Sequence, residues 1–264
     1  SDVIEMHMHW YDQQLKGINT GVDEEAPIKL FVMGKNIWRD EYEWPLERTE
    51  WTKFYLSSSG NAVIDGGGLY PEIKNSDQTS DSFIYDPGNP VPSLGSQYQT
   101  YDFCGPHDRS HIQRRPDVLT FTTDVLTEDM EITGPISATI WASSDAKDTD
   151  FTATLTDLEP DGKAIALCEG IVRARFRNGT ENPEMMVPGE IYKFEIDMWN
   201  TSNSFIKGHR IRIEISSSNF PRYNRNLNSG NPIASDIDIT IANQTVYHGI
   251  QYPSHINLPV IPKR

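Results

Sequence analysis

Serine, histidine and acidic side chains are the groups in this chain that could carry acyl-transfer chemistry, and their spacing argues against it. A serine nucleophile of the α/β-hydrolase type sits in a Gly-x-Ser-x-Gly elbow, where the glycines permit a strained strand-to-helix turn. That pentapeptide does not occur, and the two glycines four apart, Gly17 and Gly21, enclose Asn19. The triplets Ser57–Ser59 and Ser216–Ser218 each follow a strand candidate with no helix signal after it, which makes them edge or turn residues. His209, His248 and His255 are bases in type, but nothing in the sequence sets one of them beside a serine and an acid.

Two patterns have the spacing of metal sites. Cys104, His107 and His111 form a C-x2-H-x3-H run with Asp102 and Asp108 beside it. A structural zinc needs a fourth ligand, and no second Cys or His pair follows at a finger-like distance. Asp157, Glu159, Asp161 and Gly162 imitate the opening of a calcium loop, but position twelve is Cys168 and Glu169 comes one residue late. Glu-Pro-Asp-Gly reads instead as a turn. Asp145, Asp148 and Asp150 are read as solvated or paired with nearby backbone. No metal or other cofactor is expected.

Two further segments carry recognition chemistry. In Ser216–Asn231, Asn219, Arg222, Asn224, Arg225, Asn226 and Asn228 lie among Phe220 and Tyr223. Planar amides, guanidinium groups and rings suit an interdomain contact or a sugar site. In Asp86–Phe103, Pro87, Pro90 and Pro92 stiffen an arm that passes Gly95 and ends in Gln97, Tyr98, Tyr101 and Phe103. Such an arm reaches a neighbouring domain or packs on its own.

These groups are positioned mainly by strands. Alternation is plain in Ile136–Ala142 and Tyr192–Met198, and in β-like Ile211, Ile213 and Ile215, whose partners Arg210, Arg212 and Glu214 point the other way. That last strand is expected to have one dry and one wet face. Pro27–Gly34, Thr52–Leu56, Val118–Thr122, Thr152–Leu158, Ile165–Phe176, Gln244–His248 and Ile256–Ile261 complete about ten strands, the pattern of a two-sheet antiparallel sandwich. Ser57–Gln113 is a long Gly, Ser, Pro and Asn-rich stretch with few strand signals. Before the strands, Ile4, Met8, Tyr11 and Leu15 mark one face of a helix, with Asp2 and Glu5 as a capping box and Gly17 as its C-terminal stop. A short amphipathic helix must lay its stripe on something larger, either this β domain or a preceding one.

The totals set the bounds. With 264 residues, 37% hydrophobic and 23% charged, the chain has the composition of a folded domain rather than a disordered one. A net charge of −15 sets it against nucleic acid and anionic membrane surfaces. No apolar run approaches the ~20 residues of a membrane span, so a soluble protein is expected, the cytoplasm being favoured. Cys104 and Cys168 are read as reduced thiols.

Taken together, several segments resemble the C-terminal region of the cocaine-esterase and glutaryl-acylase branch of the X-Pro dipeptidyl-peptidase superfamily: LFVMGKNIWRDEYEWPL (Leu30–Leu46), YDPGNPVPSLG (Tyr85–Gly95), DTDFTATLTDLEPDGKA (Asp148–Ala164), GHRIRIEISSSNFPR (Gly208–Arg222) and the ending HINLPVIPKR. They span nearly the whole chain in the family's order. The initial HWYDQQLKG resembles the family's helix after the catalytic histidine. The resemblance implies a mainly β, galactose-binding-domain-like jelly roll at 27–264, preceded by a helix and linker at 1–26 left from an α/β-hydrolase domain. It implies a noncatalytic partner to the hydrolase and cap domains of one polypeptide, which acts on a small ester or amide. Gln97, Tyr98, Tyr101, Phe103, Asn219, Arg222, Tyr223 and Arg225 are then candidates for the substrate pocket or interdomain contact, and no catalytic residue is carried over. The alternative is a carbohydrate-binding jelly roll using the polar, aromatic loop at Tyr223.

Overall fold

The computed structural model describes residues 3–63, 66–74, 79–97 and 103–263. Among the described residues, one α-helix, α1 (Val3–Lys16), precedes thirteen strands: β1 (Ile28–Val32), β2 (Ile37–Glu41), β3 (Glu50–Ser57), β4 (Gly67–Tyr70), β5 (Thr79–Tyr85), β6 (Leu119–Thr122), β7 (Met130–Ser144), β8 (Asp150–Leu158), β9 (Ala164–Arg173), β10 (Tyr192–Phe205), β11 (Arg210–Ser216), β12 (Ala242–His248) and β13 (His255–Ile261). The fold is a mainly β jelly-roll sandwich, as expected. β1 and β2 pair only with each other as a ribbon, while the remaining strands form one continuous ladder in the order β5-β12-β7-β13-β3-β4-β6-β11-β8-β9, with β10 on the other edge of β7. All pairs are antiparallel except β4 with β6, where Gly67 and Gly68 run parallel to Phe121 and Thr122.

Alternation drives the core. Ile136, Ala138, Ile140 and Ala142 of β7, Phe194 and Ile196 of β10 and the three isoleucines of β11 meet in one buried cluster. Each fully buried aliphatic or aromatic side chain there contributes roughly 1.5–3 kcal/mol by leaving water.

Two expectations need correction. The stretch 57–113 holds strands as well as loop. β5 buries Asp81, Phe83 and Tyr85 and turns Ser82 and Ile84 out, and its inward aspartate hides the apolar alternation from a sequence reader. Nor does β11 have a wet face. Glu214 is 3% exposed and Arg212 8%, because the segment around Arg109 and Gln113 lies across them. Arg109 donates to both Glu214 carboxylate oxygens at 2.8–3.1 Å. Gln113 donates to Glu214 at 2.8 Å and accepts from Arg212 at 2.8 Å. A smaller apolar cluster of Val91, Ile112 and Val118 seals this layer. The second face of the strand is thus dry and polar, a state that hydropathy alternation cannot distinguish from a solvated one.

α1 ends as expected. Gly17 is left-handed at φ 68°, and the amides of Gly17 and Ile18 return to the carbonyls of Gln13 and Asp12. Asp2, the proposed cap, lies outside the described residues. No residue of α1 is buried, so the helix does not lay its stripe on the sandwich.

Candidate functional site

Of the serine and histidine candidates, Ser57, Ser58, Ser216, Ser217, Ser218 and His248 are buried, His209 and His255 are half-buried and Ser59 is exposed. His248 Nε2 is 2.8 Å from one oxygen of Asp81, and Ser58 donates to the other at 2.9 Å. Thr79 Oγ1 lies 2.5 Å from His248 Nδ1. In a serine hydrolase the histidine stands between serine and acid and takes the serine proton. Here the acid stands between, so it fixes both donors and activates neither. His209 pairs with Asp157 at 2.9 Å, and His255 Nδ1 sits 2.7 Å from the Pro253 carbonyl. Burial pushes the His255 imidazole below its ordinary value. Ser216 donates to the Asp117 carbonyl at 2.8 Å, and Ser218 accepts the Val91 amide at 2.8 Å.

Of the acidic motifs, Asp145 and the Glu159–Lys163 turn stay at the surface, whereas Asp148 and Asp150 are buried against arginines rather than solvated, which corrects the expectation for those two. Asp108 accepts the amides of Ser110 and Ala164 at 2.9 and 3.0 Å; burial opposes its charge, but these donors hold its carboxyl low. The Glu159–Lys163 segment closes a turn, with Gly162 N–H to the Glu159 carbonyl at 2.9 Å. Asp145 accepts the Asn243 amide. Arg175 donates to Asp148 at 2.7 Å, Arg173 to Asp150 at 2.8 and 2.9 Å, and the Asn226 side chain bridges both acids at 2.8 and 2.9 Å. Among the described residues no three His, Cys, Asp or Glu side chains converge in the manner of a metal site.

The structure brings the two recognition segments together. Ser93 N–H reaches the Phe220 carbonyl at 2.7 Å, Phe220 N–H reaches Val91 at 2.9 Å, and Arg222 N–H reaches Ser93 Oγ at 3.0 Å. Arg222 donates to Glu169 at 2.7 Å with its guanidinium 5.2 Å from the Tyr223 ring. Burial pushes the Glu169 carboxyl up against the opposing pull of Arg109 and Arg222, and it likewise raises the Tyr223 phenol. Arg225 donates to the Pro87 carbonyl at 2.8 Å and lies over Phe220 at 5.8 Å. Asn219 is buried. The guanidinium groups of Arg222 and Arg225 and the amide of Asn226 are thus tied to partners within this chain, while Asn224 stays exposed.

Further along the arm, Gln97 donates to the Asn200 carbonyl at 3.3 Å. Phe103 accepts the Gly95 amide at 2.7 Å through its carbonyl while its side chain stays 45% exposed. Tyr98 and Tyr101 lie outside the described residues. The structure thus unites Phe220, Arg222 and Arg225 with the proline-rich part of the arm, and it leaves Phe103 partly exposed.

What sequence reading missed is the surface formed before the sandwich. α1 exposes Ile4, Met8, Trp10, Tyr11 and Leu15, and the ribbon exposes Phe31 and Trp38, whose rings meet edge to face at 5.3 Å. The ribbon is tied to β7 by Arg39, which contacts Glu131 and Glu41 at 2.6 Å each. Arg48 also pairs with Glu41. Their hydrogen bonds and charges hold the Glu41 carboxyl below the usual carboxylate range, Arg48 acting most strongly. A cleft of about 500 Å³ lined by Lys35, Arg39, Glu41, Arg48 and Glu131 separates ribbon from sandwich. The signal available was the β-prone pair Ile37-Trp38 just after the Gly34–Asn36 turn.

Comparison with known proteins adds to this geometry. The family described as "X-Pro dipeptidyl-peptidase C-terminal non-catalytic domain" matches residues 20–257. Cocaine esterase of Rhodococcus sp. (strain MB1 Bresler) is 45% identical over 98% of this chain and 46% of its own length. A putative serine esterase of Mycobacterium bovis is 27% identical over 96% of the chain and 40% of its own. Among solved structures, an aminopeptidase from a marine sediment Thaumarchaeota archaeon superposes with a TM-score of 0.85 at 25% identity, covering 97% of this chain and 43% of that one. An α-amino acid ester hydrolase gives 0.80 at 26% identity, covering 96% and 44%. The chain spans less than half the length of these relatives. Among the described residues no helix is long and apolar enough to cross a membrane.

Proposed function

The chain belongs to the family of X-Pro dipeptidyl-peptidase C-terminal non-catalytic domains, and from that premise we propose that it is the companion domain of a serine hydrolase, docked on the catalytic portion of the same polypeptide and shaping its pocket for a small ester or amide. The observation that carries this reading lies in Asp86–Phe103: Val91 and Ser93 are fastened to Phe220 and Arg222, while Phe103, bonded to Gly95 through its carbonyl, keeps 45% of its surface exposed. Exposed apolar area beside a fastened segment suits contact with another surface. Ser58 and His248, both bound to the buried Asp81, serve folding, and the nucleophile, base and oxyanion donors come from the catalytic portion.

Phe103→Ala in the full-length polypeptide is the test. KM or the preference among acyl groups of different size should change, while the melting temperature of the sandwich stays the same. Unchanged kinetics across several acyl sizes would remove the arm from the pocket. The chain on its own should hydrolyse neither aryl esters nor X-Pro amides, measured as progress curves at high protein concentration.

A further inference from the structure

The ribbon has the sequence of an interior strand and the surroundings of a surface one. Ile28, Leu30, Phe31, Val32 and Met33 form a nearly continuous apolar run, the pattern of a strand covered on both faces. Yet Phe31 is 40% exposed and Trp38 65%. A lone two-stranded hairpin is marginal in water, and α1, which precedes it, buries nothing.

The backbone identifies where a partner belongs. Met33 accepts the Ser204 amide and donates to the Ser202 carbonyl at 2.9 and 3.0 Å, meeting β10 on the side of β1 away from β2. Residues of a strand turn their N–H and C=O groups to alternate edges, so Lys29 and Phe31 face the same side as Met33. Among the described residues, Ile28–Val32 make no backbone hydrogen bond outside the ribbon. An unpaired apolar edge is a template for another strand.

We propose that the edge of β1 bearing Lys29 and Phe31 is completed by a strand from the catalytic portion of the polypeptide, so that α1, β1 and β2 belong to that portion's sheet layer and the sandwich begins after Glu41. This rests on the companion-domain reading. The occupant is argued from length: the relatives carry more than half their length outside the region that this chain matches. The boundary then falls after the ribbon rather than at residues 26 and 27. The ionic cluster of Arg39, Glu41, Arg48 and Glu131 is the joint between the two units.

Residue-resolved hydrogen exchange on residues 1–264 and on the full-length polypeptide tests it. In residues 1–264 the Leu30 and Val32 amides should exchange slowly and those of Lys29 and Phe31 quickly. In the full-length polypeptide Lys29 and Phe31 should slow by about 100-fold or more, as hydrogen-bonded amides do. Equal exchange of these two amides in both proteins overturns the proposal. If they stay equal while α1 becomes protected, docking stands and the strand edge falls; if nothing in α1, the ribbon or the arm changes, the companion-domain reading itself fails. Lys29→Pro is the second arm, because proline at an edge position removes only the outward donor. It should leave the melting of residues 1–264 unchanged and lower that of the full-length protein.

Discussion

Two regions treat their difficult groups in opposite ways. Behind β11 the chain buries charge: Arg109, Glu214, Gln113 and Arg212 lie in a dry layer, each held by the others. Along α1 and β1 it exposes hydrocarbon that nothing in the described residues covers. A buried charge is tolerated only where its partners are already present, so the first region is complete within this chain. Exposed apolar area of the second kind marks an interaction surface. The contrast separates the part of the sequence that specifies its own fold from the part that specifies a contact.

The largest effect is expected at Arg109. Arg109→Met leaves Glu214 buried without its bidentate partner, and removing one member of a buried pair costs about 3–5 kcal/mol. At roughly 2–4 °C per kcal/mol for a domain of this size, thermal denaturation should fall by on the order of 10 °C. A change of only a degree or two would mean that water replaces the arginine and that the layer is wet after all.

A smaller effect is expected at the joint. The folded-state carboxyl of Glu41 is lowered, chiefly by its hydrogen bond from Arg48. Its contribution is therefore complete above the ordinary carboxylate value and is lost as the pH falls through the folded value. Hydrogen exchange corrected for intrinsic rate should show the ribbon loosening below about pH 4 before β13 does. Glu41→Gln should produce the same loosening at neutral pH. Simultaneous loosening of ribbon and β13 would make the ribbon part of the sandwich.

The smallest effect sharpens the contrast from the other side. Trp38→Ser, at an exposed ring, should change the stability of this chain by no more than about 0.5 kcal/mol. A larger loss on denaturant unfolding would show that the ribbon is stabilised from within.

Much of this was legible in the residues. Period-two alternation in β7, β10 and β11 gave the sandwich, because a sheet face that enters a core must be apolar at every second position. The absence of a nucleophile elbow ruled out a catalytic serine of that type, since the elbow is a local turn with a local sequence requirement. Gly17 ended the helix where a left-handed residue is needed. Tertiary structure decided the rest. Whether Arg212 and Glu214 meet water depends on a segment a hundred residues earlier in the chain, and whether Asp81 bridges Ser58 and His248 or is bridged by one of them depends on how three distant strands register. Which apolar strand remains uncovered is likewise a property of the assembled layers. Hydropathy records what a side chain prefers, while burial and hydrogen bonding are relations between segments, and those exist only once the chain has folded.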